Sequence, residues 1–165
     1  MRVKVSFADT QVRINGIIAC TIGKNGKQIE EKMIQIKEYI HYKEYEILSL
    51  YTAVGWTAYT DNSEALRKGY ENSLLILGAY EGDELQGIIR VVGDGQTIVF
   101  IQDILVFPDK QRKGIGTALI KAILERYKNV RQIELATDNT PKTVEFYKSI
   151  GFHEMSEYGC CGFMK

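Results

Sequence analysis

Two spacings of apolar residues run along this chain, and they predict the order of its strands and helices. Alternation or dense β-branched composition predicts strands at 33–39, 73–80, 85–92, 97–107 and 132–137. Apolar residues three or four positions apart predict helices at 44–54, 64–71, 115–127 and 141–150. Residues 152–165 add up to two final strands around Gly159. The order β-α-α-β-β-β-α-β-α-β-β predicts an α/β fold with a mixed sheet.

The first 31 residues carry a pattern of their own. Apolar residues alternate with polar ones on both sides of Asn15-Gly16, a strong turn signal, so a β-hairpin is predicted. Three interpretations stay open: an extra hairpin on the sheet, a contact in a homodimer, or a poorly ordered leader. We therefore divide the chain into an extension of unknown function at 1–31 and one main domain at 32–165.

Composition excludes several kinds of partner. Lysine plus arginine equals aspartate plus glutamate at 21 each, which argues against a nucleic-acid or anionic-membrane surface. No apolar run reaches the length of a membrane span. Cys20, Cys160 and Cys161 lack metal-ligand spacing, and we expect reduced thiols, a cytoplasmic protein and no bound metal.

The segment from Gln111 to Thr117 is the strongest chemical signal. It connects a strand that ends before Pro108 to an amphipathic helix, and it contains Gly114 and Gly116. Such a turn leaves backbone N–H groups unpaired at the positive end of a helix dipole, an arrangement that binds phosphate. Basic residues at 110, 112 and 113 predict a ligand with more than one negative charge.

Motif spacing narrows the choice of phosphate ligand. The P-loop string is absent, and the dinucleotide fingerprint lacks its third glycine. The string Q/R-x-x-G-x-G/A fits at Gln111, Gly114 and Gly116, just after Val106-Phe107-Pro108. A second block runs from Asn139 to Phe146-Tyr147-Lys148-Ser149-Ile150-Gly151-Phe152. Over about residues 33–165 the chain resembles the GNAT superfamily of acyl-CoA-dependent N-acyltransferases.

The resemblance implies a fold, a cosubstrate and a reaction. We expect a mixed, mostly antiparallel central sheet of roughly six to seven strands flanked by about four helices. The expected reaction moves an acetyl group from acetyl-CoA to a primary amine of a small molecule or peptide, by direct attack on the thioester. A nonenzymatic acyl-CoA sensor is the alternative. The cofactor-binding residues implied are Ile104, Leu105, Val106, Gln111, Arg112, Lys113, Gly114, Ile115, Gly116, Thr117, Asn139 and Tyr147.

Two of these residues lie in the second block. The resemblance implies that Tyr147 donates a proton to the leaving thiolate, and an unperturbed phenol keeps that proton at pH 7. Alternatively, its ring packs against Phe146 and Phe152. Asn139 could hold the pantetheine arm or cap the helix that follows.

The strand before the loop offers two candidates for handling the proton of the amine. Gln102 cannot accept a proton and could only position water or substrate, whereas Asp103 is a candidate base or substrate anchor. Strand alternation places them on opposite faces unless a bulge intervenes. A carboxylate that caps backbone or pairs with a basic side chain is the other interpretation of Asp103.

The acceptor pocket is predicted between the first two helices. Trp56 and Tyr59 lie in a loop there, in the position where the resemblance implies a substrate-covering segment. Aromatic faces attract alkylammonium groups, so the pair could line the pocket. They could equally be a loop anchor.

Overall fold

The computed structural model describes residues 33–165; the predicted hairpin at 1–31 and Cys20 lie outside the described residues. Five strands are present: β1 (Ile34–Glu38), β2 (Leu75–Glu81), β3 (Glu84–Gly93), β4 (Ile98–Val106) and β5 (Gln132–Leu135). The α-helices are α1 (Glu44–Ala53), α2 (Thr57–Thr60), α3 (Ser63–Glu71), α4 (Ile115–Arg126) and α5 (Pro141–Ser149). Short 3-10 helices occupy Pro108–Lys110 and Met155–Tyr158.

The predicted α/β fold with a mostly antiparallel sheet is confirmed, with fewer strands than expected. One sheet has the order β1-β2-β3-β4-β5, and β1 through β4 pair antiparallel. Within residues 33–165 there are five strands instead of the six to seven expected, because the prediction of strands within 152–165 is wrong. There the backbone N–H of Glu154 donates to the Glu157 carboxylate, at 3.4 Å, in a capping box that starts a helical turn.

Strand β3 is the centre of the sheet, buried from Leu85 to Val91. One of its faces is covered by α1 and α3, which contribute the larger share of a hydrophobic cluster. The buried members of this cluster are Tyr39, Ile47, Leu50, Tyr51, Leu66, Tyr70, Leu85, Ile88 and Leu105.

Helix α4 supplies a second set of buried apolar side chains. Ile115, Leu119, Ile120 and Ile123 are all buried, and α4 contacts strands β1 to β4. None of the four belongs to the cluster of α1 and α3. Because neighbouring strand residues face opposite sides, Ile89 and Val91 of β3 are left to the α4 side.

The described chain divides into two compact units. The first ends at Glu134 and carries β1 to β4 with α1 to α4, while the second covers Leu135–Lys165 and carries α5. In the second unit, Thr140 caps α5 by accepting a hydrogen bond from the Thr143 N–H at 3.3 Å.

Candidate functional site

The loop from 111 to 117, called the phosphate loop below, is built from a short turn between β4 and α4. Two of its residues have left-handed backbone, Arg112 at φ 61° and Gly114 at φ 80°. A non-glycine residue in that region is uncommon and costs of order 1 kcal/mol, and such residues cluster at ligand sites. The Gln111 side-chain amide donates to the Val106 carbonyl at 3.1 Å and ties the loop to the end of β4.

Backbone donors gather at the start of α4. The first amide bonded within the helix is that of Ala118, which donates to the Gly114 carbonyl at 2.9 Å. Gly114 provides no side-chain cap, so the N–H groups from Ile115 to Thr117 have no acceptor among residues 33–165. A Cβ built on Gly114 would meet no atom within 4 Å, so the space beside these donors is open.

Two basic side chains of the loop carry its charge. Arg112 and Lys113 are exposed and form no salt bridge with any described residue. Lys110 instead pairs with Glu81, at 3.1 Å, so its charge is compensated within the fold. The cationic character of the phosphate loop therefore comes from positions 112 and 113.

Strand β4 carries an irregularity just before its last four residues. Arg90 of β3 lies opposite Asp103, yet the next residue, Val91, lies opposite Ile101. One residue of β4, Gln102, is therefore extra, which is the definition of a β-bulge. Ile101 and Asp103 consequently face opposite sides of the sheet although they are two residues apart.

Asp103 is enclosed in the first unit, with 1% of its surface exposed. Its Oδ2 accepts hydrogen bonds from Arg90 Nε, in an ion pair, and from the Tyr51 hydroxyl at 2.7 Å. The Tyr70 hydroxyl donates to that of Tyr51 at 3.3 Å. We call these four residues the buried polar network.

Burial and neighbouring charges shift the pKa values of two groups in the network. Burial raises the pKa of the Tyr51 phenol, and the nearby Tyr70 and Asp103 raise it further. Burial disfavours the charged form of Arg90, but the Asp103 carboxylate outweighs this and raises the pKa of the guanidinium. Arg90 is thus held as a cation beside Asp103, and of the interpretations of Asp103, pairing with a basic side chain is the one seen.

Three aromatic rings meet between α1 and α2, and we call them the aromatic wall. Trp56 and Tyr59 stack with ring centroids 5.8 Å apart, and Tyr51 lies 6.2 Å from Trp56 and 5.4 Å from Tyr59. Trp56 is 40% exposed and Tyr59 is 38% exposed, whereas Tyr51 is fully buried. The wall therefore has two partly exposed rings above a buried one, Tyr51, whose hydroxyl hydrogen-bonds to Asp103.

In the second unit, Tyr147 is half-buried on α5. Its ring lies 5.1 Å from that of Phe146 and 5.8 Å from that of Phe152, so the predicted packing is confirmed. Burial raises the pKa of its phenol, a hydrogen bond with Thr137 opposes this, and Asp138 adds to it. The phenol therefore stays a proton donor at neutral pH, as the catalytic role requires.

Asn139 precedes α5 without capping it. Thr140 is the N-cap, and Asp138 Oδ1 accepts from the Thr140 N–H at 3.1 Å. Asn139 is exposed and forms no hydrogen bond with the described residues. Of its two predicted roles, capping is wrong and contact with pantetheine stays a prediction.

Comparison with known proteins identifies the family. A family model described as "Acetyltransferase (GNAT) domain" matches residues 40–161, well over half of the chain. The chain belongs to the GNAT acetyltransferase family. It is 28% identical over 141 residues to the uncharacterized N-acetyltransferase ycf52 of Pyropia yezoensis, covering 79% of this chain and 76% of that one.

Solved structures of other proteins share the fold. The GNAT family protein SP0256 of Streptococcus pneumoniae is 44% identical, with a TM-score of 0.73 over 81% of this chain and 97% of that one. The SA2161 protein of meticillin-resistant Staphylococcus aureus is 26% identical, with a TM-score of 0.66 over 81% and 99%.

Sequence reasoning about this GNAT chain missed three members of the buried polar network, Tyr51, Arg90 and Tyr70. A signal for Arg90 existed, because an arginine inside the apolar run 85–92 needs a buried partner. No local signal marks Tyr70, since its hydroxyl reaches Tyr51 across 19 positions.

None of the described helices has the length and apolar composition to cross a bilayer, and no three potential metal ligands converge within 33–165.

Proposed function

We propose that this GNAT protein binds acetyl-CoA and transfers its acetyl group to a primary amine of a small molecule or peptide. The observation that carries the proposal is the phosphate loop. Unpaired amides from Ile115 to Thr117 converge on open space beside Gly114, with Arg112 and Lys113 exposed nearby. A diphosphate accepts hydrogen bonds from such amides and is stabilised by the helix dipole.

The pantetheine arm would follow the backbone of Ile104, Leu105 and Val106. The first amide of β5, that of Gln132, donates to Thr97 just before β4 begins, and β5 has four residues. Four residues span about 13 Å, whereas seven separate Thr97 from Ile104 and span about 23 Å. β5 thus ends before it reaches Ile104, whether it runs parallel or antiparallel to β4. The amide groups of the pantetheine arm could hydrogen-bond to the edge of β4 beyond β5.

The acceptor would approach the aromatic wall. Trp56 and Tyr59 are partly exposed, and an aromatic ring attracts an alkylammonium by about 0.5–2 kcal/mol. After the ammonium loses one proton to solvent, its neutral nitrogen would attack the thioester carbon, so that the carbon–nitrogen bond forms and the carbon–sulfur bond breaks. Tyr147 would donate its phenol proton to the departing thiolate, and the proton that the attacking nitrogen then releases would restore the phenol through solvent. The role of Tyr147 and a contact of Asn139 with pantetheine both come from the family resemblance.

A nonenzymatic acyl-CoA sensor is the second candidate. It is favoured by the state of the two predicted proton-handling residues. Gln102 cannot accept a proton, and the charge of Asp103 is already compensated by Arg90 in a buried pair. A sensor needs the phosphate loop but no base.

Two measurements separate these candidates. Calorimetry with acetyl-CoA measures binding, and thiol release in the presence of tyramine, spermidine or a lysine-containing peptide measures transfer. Binding with thiol release that depends on an amine supports the enzyme, and binding without release on any amine supports the sensor. If the folded protein takes up no acetyl-CoA, both candidates are refuted.

A further inference from the structure

The buried ion pair lies at the point where the pairing of β3 and β4 changes. Arg90 and Asp103 are directly opposite each other, and Gln102, the residue before Asp103, is the extra residue. The side chains of the pair are 8% and 0% exposed. A shift by one residue would move every later side chain of β4 to the other face of the sheet.

Such a shift would separate the two charges. Asp103 would face the side of the sheet opposite Arg90, and each ion would be buried without its partner, at high cost. Buried ion pairs add little net stability compared with apolar pairs of the same size, and their best-attested use is to specify register. The pair therefore selects the register that contains the bulge.

The register fixes the part of β4 proposed to bind pantetheine. Leu105 and Val106 lie two and three positions beyond Asp103, opposite Ile88 and Gly87. Their position relative to β3 depends on where the bulge lies, and the phosphate loop moves with them because Gln111 hydrogen-bonds to the Val106 carbonyl. A misplaced bulge would move this end of β4 and the loop relative to β3 by about 3.3 Å, one residue.

The same carboxylate also holds the aromatic wall. The Tyr51 hydroxyl donates to Asp103 Oδ2, at 2.7 Å, and its ring contacts those of both Trp56 and Tyr59. The Tyr51 ring is fully buried, so its position is set by this hydrogen bond and by packing. One oxygen atom of Asp103 thus joins the bulged strand to the wall.

We infer that Asp103 is a positioning residue for acetyl transfer, fixing the β4 bulge through Arg90 and the acceptor-facing aromatic wall through Tyr51. This inference rests on the proposed function, and it assigns Asp103 no proton transfer. It predicts that the two branches can be weakened separately, with different kinetic signatures.

The wall branch is tested by Tyr51→Phe, which keeps the ring and removes the donor to Asp103. We expect the KM of the best amine among tyramine, spermidine and the lysine peptide to rise about tenfold, as loss of a hydrogen bond to a charged group gives. The acetyl-CoA Kd should stay within about twofold. The matched control is Tyr42→Phe, since the buried Tyr42 hydroxyl has no partner among residues 33–165; it should change neither constant.

The register branch is tested by the double variant Arg90→Met with Asp103→Asn, in which the asparagine oxygen still offers an acceptor to the Tyr51 hydroxyl. A neutral pair of similar size removes the ion pair without leaving an unpaired buried charge. We expect far-UV circular dichroism and the thermal midpoint to be preserved, while the acetyl-CoA Kd rises about tenfold. Amide hydrogen exchange across β4 should also accelerate around Gln102, a readout independent of turnover.

The outcomes distinguish this inference from the proposed function. If the wild type binds no acetyl-CoA, the proposed function fails at the first titration. If the wild type transfers acetyl groups and the folded Tyr51 and double variants match it in Kd, KM and exchange, only the positioning role is overturned. A fall in kcat with both constants unchanged would also overturn it, because that pattern marks a residue acting on the chemical step.

Discussion

Replacing Gly114 with aspartate and, separately, with asparagine isolates the charge of a new side chain from its size. Gly114 has φ 80°, and a Cβ there would meet nothing within 4 Å. Aspartate and asparagine tolerate left-handed backbone better than other L-residues, so the backbone cost is similar in both variants. Any difference in ligand binding between them is therefore electrostatic.

The expected difference follows from Coulomb's law. A carboxylate about 4 Å from one phosphate charge is disfavoured by about 1 kcal/mol in water and about 4 kcal/mol at an effective dielectric constant of 20. Because the phosphate loop is exposed, the lower part of that range applies. We expect Gly114→Asp to bind acetyl-CoA about 5–30 times more weakly than Gly114→Asn, by about 1–2 kcal/mol.

Calorimetric titration with acetyl-CoA measures both constants, and repeating it at high salt should shrink the difference. Gly159 provides the control, because it has φ 71° and equally open space but no proposed ligand contact. Its aspartate and asparagine variants should bind acetyl-CoA alike. Equal Kd values for the two variants at 114 would refute the placement of a diphosphate at this loop.

Four further predictions concern the cofactor strand, the acid, the wall and the proton. A Cβ on Gly87 would lie 2.6 Å from the Leu105 carbonyl oxygen, so Gly87→Ala should cost about 1–3 kcal/mol in thermal unfolding and weaken acetyl-CoA binding. Gly162→Ala, with open space, should do neither. Tyr147→Phe should lower turnover more than acetyl-CoA affinity. Because the pKa of the Tyr147 phenol is raised, this group should cause no loss of wild-type kcat between about pH 7 and 9. A fully active variant would show that Tyr147 serves only in packing. Trp56→Ala should raise the amine KM about 2- to 30-fold, whereas Tyr45→Ala, at an 84% exposed ring, should not; equal effects would exclude the wall. The pH at which kcat/KM rises should follow the pKa of each amine tested. If kcat/KM instead rises at the same pH for amines of different pKa, a base on the enzyme is responsible.

Local signals predicted the secondary structure well where each element carries its own start or stop. Asn62 caps α3 by accepting from the Ala65 N–H at 3.1 Å, and Gly114 takes the left-handed conformation before α4. The possible cap of α5 was placed one residue too early, at Asn139 instead of Thr140. These contacts span three or four residues, so sequence spacing determines them. The prediction of final strands is wrong because the Glu154–Glu157 capping box, which is also local, starts a helical turn there.

The site was predictable only in part, because its geometry depends on contacts between distant residues. The phosphate loop follows from one short motif, and its backbone conformation is local. The bulge at Gln102 exists only relative to β3, and the Asp103 partner Arg90 lies 13 positions away. A sequence shows neither a register nor a buried charge pair until the strands are aligned.

The burial of Asp103 also bears on how much catalysis this fold must supply. An amine of pKa about 10.4 is protonated at pH 7.4, and taking its rare neutral form costs about 4 kcal/mol, three pKa units. Alignment of two bound reactants can lower a barrier by about 7–11 kcal/mol. The gain from alignment exceeds the cost of using neutral amine, so a thioester that is already activated can be attacked without a protein base. Rate in such an enzyme depends most on how firmly both reactants are held. The Asp103 carboxylate, which holds the strand and the aromatic wall in place, then contributes more to the rate than the same carboxylate would if it were exposed as a proton acceptor.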